Sequence, residues 1–162
     1  GMENFIQNEI KDFPLADATF FEALRMYPSV SNDFRIAQED DVLPSGTTVE
    51  SGTLCTIPIH SIGRDPKHWD EPNQFRPERW LYQDPEKGTM CRRLDEFKFP
   101  FFWGGYRACL GKDMARHEAK IIMCLLLHSL KFKLTQPRKE KFVNGPVMFY
   151  AEGMHMSVER RR

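Results

Sequence analysis

The stretch FWGGYRACLG, residues 102–111, runs directly into KDMARHEAKIIMCLLL at 112–127, which reads as a helix. It stages a single cysteine, Cys109, between two glycines and that helix start. A thiolate is favoured there, because the free N–H groups and the dipole of a helix N-terminus stabilise negative charge. The position suits a nucleophile or a metal ligand. A nucleophile wants a histidine base and an orienting partner, and the five histidines show no spacing that selects one. Tetrahedral zinc needs three more ligands, and nothing near Cys109 supplies them. The plain alternative is a buried cysteine packed in a glycine-rich turn, a common fate of free thiols.

The rest of the chain sets the frame around that loop. Its 162 residues fit one domain, and 41% hydrophobic content can supply a core. Lys and Arg number 23 and so do Asp and Glu, so no overall basic field points to nucleic acid, and any electrostatic partner site is local. The longest apolar run, residues 121–127, is far short of the roughly 20 residues that span a bilayer. No signal peptide is read at the start, so the chain is expected to be soluble, and Gly1 before Met2 reads as an expression remnant. Cysteines at 55, 91, 109 and 124 form no CxxC pair, which argues against a zinc ribbon or a dithiol motif and suggests a reducing compartment.

Residues 14–27, PLADATFFEALRMY, predict a helix with proline near its start and Pro28 ending it. Between 33 and 62 the pattern shortens to β-type runs, FRIA, TTVE and LCTIPIHSI, punctuated by LPSG and ESG, which predicts a small sheet. Residues 63–100 show little periodicity and carry seven prolines and glycines, an irregular meander anchored by Trp69, Phe75 and Trp80. A loop of that length is usually functional. A helix follows over 112–129, and strand-like FKL, VMFYA and HMSVER close the chain. The fold class expected is mostly α with a small β component, α+β.

A lone axial thiolate to haem needs no second protein ligand, because the porphyrin provides the other four. The pattern Phe102-x-x-Gly105-x-Arg107-x-Cys109-x-Gly111 resembles the haem-binding signature of the cytochrome P-450 family, the haem-thiolate monooxygenases. EALR at 22–25 resembles the ExxR of that family's K helix, and FRPERW at 75–80 its PERF element. The three stand in the family's order, and GRDPKHWDEP at 63–72 and CLGKDMARHEAK at 109–120 fall into the same register. The resemblance implies the C-terminal part of the fold: K helix, small sheets, meander, cysteine-ligand loop, L helix and terminal β-hairpin. Residues 1–12 are then a lead-in, and 13–162 the C-terminal portion of a haem domain.

By that resemblance the cofactor is haem b, with Cys109 its metal ligand. Arg107 and Arg35 are expected to meet its propionates, and Phe102 to pack beside the sulfur and exclude water. Gly105 is expected to take a positive φ, and Gly111 to let the helix start approach the porphyrin. Glu22 and Arg25 share one helix face by spacing, where a surface bridge contributing at most about 1 kcal/mol is the bland reading. The resemblance makes them, with Arg79, a buried triad pinning the meander to the helix. Arg35 has its own plain alternative as a strand-surface arginine. Tyr106 departs from the family pattern, where many members have proline, and Trp103 is bulkier than the small residue often found.

The family's oxygen-activating helix would precede this chain, so none of its catalytic residues is expected here; SGTT at 45–48 lacks the acid. The chain alone is therefore expected to be inactive. The full-length parent is expected to insert one atom of O2 into a lipophilic substrate, most like the branch containing fatty-acid ω-hydroxylases, with Val30, Phe34 and Met154 bordering it or simply packing in the core. Electrons would come from NADPH through a flavoprotein reductase docked on Arg92, Arg93, Lys98, Lys112, Arg116 and Lys120. The last three recur every four residues and so share a helix face, for which a solvated surface beside Asp113 and Glu118 is the alternative. The parent is expected at the cytoplasmic face of the endoplasmic reticulum membrane, although this chain shows no anchor. Two other classes stay open: a haem-binding module without turnover, and an inactive relic whose signatures are structural.

Overall fold

The computed structural model describes residues 13–92, 95–137, 141–143, 145 and 147–161. The lead-in read over 1–12, and Arg93, lie outside the described residues. The first helix, α1 (Pro14–Met26), opens with the predicted proline, and the Tyr27 N–H closes its last turn on the Ala23 carbonyl at 2.7 Å. Its buried face carries three charged residues, Asp17, Glu22 and Arg25, among Ala16, Ala18 and Met26. Buried charge is stable only when paired, so this face fixes where its partners must lie.

The single sheet expected over 33–62 is instead two separate antiparallel pairs. Strand β1 (Asp33–Ile36) pairs with β4 (Leu54–Ile57), and the short β2 (Asp41–Val42) with β3 (Thr48–Val49). The run LCTIPIHSI does not continue as a strand. Pro58 has no N–H to donate to a ladder, and the chain turns there into one helical turn, α2 (Ile59–Ile62), that buries Ile59.

The meander is less irregular than its prolines and glycines suggest. After a 3₁₀ turn at Pro77–Trp80, β5 (Leu81–Asp84) and β6 (Gly88–Cys91) form a hairpin. The Asp84 carboxylate accepts the N–H groups of Glu86 and Lys87 across its turn, and Gly88 supplies the positive φ of +75°. The anchors are Trp69, Trp80 and Phe99. Trp80 meets Phe99 edge-on at 4.9 Å and Trp69 at 5.1 Å, packed on Ala18 and Phe21 of α1. Phe75, the third expected anchor, is 48% exposed; Phe99, directly before the cysteine loop, fills that role.

The second long helix, α3 (Lys112–Ser129), leads straight into β7 (Leu130–Leu134), which pairs with β10 (Met156–Arg160). Between them β8 (Phe142–Val143) pairs with β9 (Phe149–Tyr150), so only two residues of the expected strand VMFYA are extended. The result is the α+β arrangement expected: two long helices joined by a meander and bordered by small β pairs. Among the described residues no helix is long and apolar enough to cross a membrane.

Candidate functional site

The cysteine loop hangs from the aromatic core. A 3₁₀ turn at Pro100–Phe102 leads into Trp103 and Gly104, then a second turn at Gly105–Arg107, where Gly105 takes φ +62°. The Cys109 N–H donates to the Phe102 carbonyl at 2.7 Å and closes the loop on itself. The Phe102 ring stacks on Phe20 of α1 at 6.3 Å, which ties the loop to the core. Residues 105–110 are all exposed, Tyr106 and Leu110 fully so.

Cys109 itself is exposed, whereas Cys55, Cys91 and Cys124 are partly buried, so the plain reading of a buried structural cysteine does not hold. A side chain at Gly111 would place its Cβ 3.8 Å from the Cys109 Sγ; glycine leaves that flank of the sulfur open. Among the described residues no three His, Cys, Asp or Glu side chains cluster as a metal site, so a metal at Cys109 must bring most of its own ligands. A planar tetradentate macrocycle with carboxylate arms fits this donor set: one exposed sulfur, an open flank beside it and arginines on the adjoining segments.

Arg107 makes no ion pair among the described residues and lies exposed on the loop. Arg35 is held from three sides. Its Nη1 donates to Asp33 Oδ2 at 2.9 Å and to the Phe34 carbonyl at 2.7 Å, and its guanidinium lies 4.8 Å from the centre of the Trp103 ring. The remaining donors of the fork make no bond among the described residues.

Glu22 sits at the centre of a buried joint. Arg25, like Glu22 0% exposed, donates from Nε and Nη2 to its two carboxylate oxygens at 2.9 and 2.8 Å. Arg79 Nε, the Arg76 backbone N–H and Trp80 Nε1 add bonds at 3.1, 2.8 and 2.9 Å. Arg25 also gathers the meander backbone, donating to the carbonyls of Gly63, Pro72 and Gln74 at 2.6, 2.7 and 3.1 Å. Burial opposes ionisation of Glu22, but the Arg25 bonds and the Arg76 N–H outweigh it and hold its carboxyl below the usual range. The structure thus brings Glu22, Arg25 and Arg79 together, and adds Trp80 and Arg76, which the sequence reading missed.

A second buried joint went unnoticed in the sequence. Asp17 and Lys120 are each 3% exposed, and Lys120 Nζ donates to Asp17 Oδ2 at 2.9 Å while Arg116 Nε donates to Oδ1 at 2.7 Å. Burial disfavours the Asp17 carboxylate, yet the two cations hold its pKa below the usual value. Of the cations expected to form a docking face on α3, this joint takes Lys120 out of solvent. Lys120 is the helix's one buried residue, Arg116 is half engaged inward, and Lys112 pairs with Glu96. The spacing of four placed the cations on one face, from which Arg116 and Lys120 reach Asp17 of α1 while Lys112 meets Glu96. Cys91 lies within the field of this joint, and burial first, then the Asp17 charge, push its thiol up to about 11.

Val30, Phe34 and Met154 are all partly exposed rather than core residues. Met154 lines a cavity of about 30 Å³ with Leu134, Pro137 and His155, and neither Val30 nor Phe34 lies in its wall.

The chain matches known proteins over nearly its whole length. The family model described as Cytochrome P450 matches residues 2–155. Cytochrome P450 704B1 of Arabidopsis thaliana is 37% identical over 145 residues, covering 89% of this chain and 27% of that protein. Cytochrome P450 94B1 of the same plant is 31% identical over 156 residues, covering 94% of this chain and 31% of its own. A Helianthus annuus protein described as cytochrome P450 is 31% identical over 154 residues and is 96% covered. The chain therefore spans about a quarter to a third of the two Arabidopsis relatives. In shape it resembles the crystal structure of a cytochrome P450 haem-domain mutant with a TM-score of 0.75 and 24% identity, covering 90% of this chain and 30% of the other.

Proposed function

The chain belongs to the cytochrome P450 family, and from that membership and the loop geometry we propose that it serves a haem-thiolate monooxygenase acting on a lipophilic substrate. The observation that carries the proposal is the presentation of Cys109. Its thiol is exposed at the tip of a self-closed loop, its flank is opened by Gly111, and no further protein ligand clusters near it among the described residues. Haem b fits that donor set. Cys109 would hold its metal, and Arg107 and the unengaged side of the Arg35 fork would hold its carboxylates, where a guanidinium matches a carboxylate in geometry and charge. Gly105 makes the turn that leads into Cys109, while Phe102 anchors the loop to the core. When bound, a thiolate-held haem supplies dioxygen activation, the sulfur's electron density favouring O–O cleavage.

A fatty acid, hydroxylated toward its ω end, is the substrate class proposed. Support comes from the likeness of residues 97–120 and 22–47 to that branch and from partly exposed apolar side chains at Val30, Phe34 and Met154. The cavity at Met154 is too small for an acyl chain, which needs several hundred Å³, so these residues enter as edges and not as a formed pocket. For the NADPH-dependent reductase, Lys112 and Arg116 stay part-exposed, and three further cations are Arg92, Lys98 and Lys67. These three line one cavity of about 570 Å³ with Trp69 and Phe99. The proposed setting, the cytoplasmic face of the endoplasmic reticulum, goes with that partner.

Haem reconstitution, reduction and exposure to CO test the core of the proposal. The thiolate-type absorbance should appear in the parent protein, persist in Cys55→Ser, Cys91→Ser and Cys124→Ser, and vanish in Cys109→Ser. Its survival in Cys109→Ser would sink the assignment, and its absence from every variant would favour a relic.

A further inference from the structure

Trp103 has φ +59° and ψ 170°, a backbone region that is essentially reserved for glycine and that costs other residues about 1–3 kcal/mol. The two residues after it are Gly104 and Gly105, either of which could take that conformation freely. Gly104 is nevertheless extended, at φ −126° and ψ 166°. A strained conformation placed on the residue least suited to it, beside two that tolerate it, needs an opposing contact. The indole supplies one, since the Arg35 guanidinium stacks on its face at 4.8 Å.

That guanidinium is itself fixed by Asp33 and by the Phe34 carbonyl, on a strand paired with β4. From these contacts we infer that Trp103 and Arg35 form a latch between β1 and the cysteine loop, with Trp103 a positioning residue that sets the loop closed by Cys109. The coupling runs through one residue: Trp103 follows Phe102, whose carbonyl receives the Cys109 N–H at 2.7 Å. Releasing the indole lets the backbone at 103 relax, moves the Phe102 carbonyl and loosens that bond. The latch also orients the unengaged side of the Arg35 fork. Its meaning for the reaction rests on Cys109 being the haem ligand.

Amide hydrogen exchange of the haem-free protein, resolved at Cys109, tests the latch without using haem, so the two ideas can fail separately. Arg35→Leu and Trp103→Leu should each speed exchange at Cys109 by about three- to tenfold, the range a lost cation–π contact allows. The double variant should be no faster than the worse single one, amides of the Trp80 region should be unmoved, and Trp103→Phe should stay near the parent. Trp103→Gly should exchange like Trp103→Leu, because both lose the indole. Unchanged exchange in either leucine variant, or additive effects, would overturn the latch.

Discussion

Around Glu22 the chain answers its own polar groups, whereas around Cys109 it presents them. The Glu22 carboxylate accepts five bonds from four residues, all drawn from its own helix or the meander. The cysteine loop is held by backbone bonds, the Phe102–Phe20 ring stack and the Trp103–Arg35 contact, with its thiol and Arg107 turned to solvent. The first region is a finished joint and the second a displayed surface, so stability should concentrate in one and binding chemistry in the other. Removing one partner of a buried pair typically costs about 3–5 kcal/mol, so Glu22→Ala should lose that much in urea unfolding. Cys109→Ser should stay within about 0.5 kcal/mol of the parent. Equal losses would break the comparison.

The Asp17 joint should fall between these extremes. Arg116 can still reach outward, since its side chain is 38% exposed, so Asp17→Asn should lose about 1.5–3 kcal/mol, the range of hydrogen bonds to charged groups. Pairing Asp17→Leu with Lys120→Met should restore most of it, because well-packed apolar side chains often replace buried ion pairs without loss. Acid provides a second measurement. Asp17 and Glu22 are held below their ordinary values of 3.8 and 4.5, so the unfolded chain binds protons first as pH drops. Their stabilisation is complete above those values and is lost as pH falls through the lower folded ones. Asp17→Asn should flatten that acid slope, and an unchanged slope would show that Asp17 is not held low.

What could be read in advance divides along the same line. The Glu22, Arg25 and Arg79 joint was legible because two of its members sit three apart on one helix and the third in a recognisable element. The Asp17 joint was not, since its partners lie 99 and 103 residues away and nothing local marks a lone aspartate for burial. Helical spacing correctly grouped Lys112, Arg116 and Lys120, but a periodicity defines a face without its direction. The β5–β6 hairpin had a signal in the Asp84 to Gly88 turn, masked by the surrounding prolines. Positive φ at Gly105 followed from its residue type. At Trp103 the same rule pointed to the neighbouring glycines, and the contact with Arg35, far off in sequence, decided otherwise.

The smallest effect contrasts two thiols. Cys109 belongs to the displayed loop, while Cys91 lies half-buried in the field of the Asp17 joint with its thiol pushed up to about 11. At pH 8 Cys91 is then held almost wholly as the less reactive thiol. Asp17→Asn removes a negative charge that disfavours the thiolate and frees two cations that favour it. The pH profile of Cys91 alkylation, followed peptide by peptide, should therefore shift to lower pH in that variant. Simple loosening would raise the rate equally at every pH without moving the profile. A profile that stays in place would mean that Cys91 does not share the field of Asp17, and would confine that joint to holding α1 against α3.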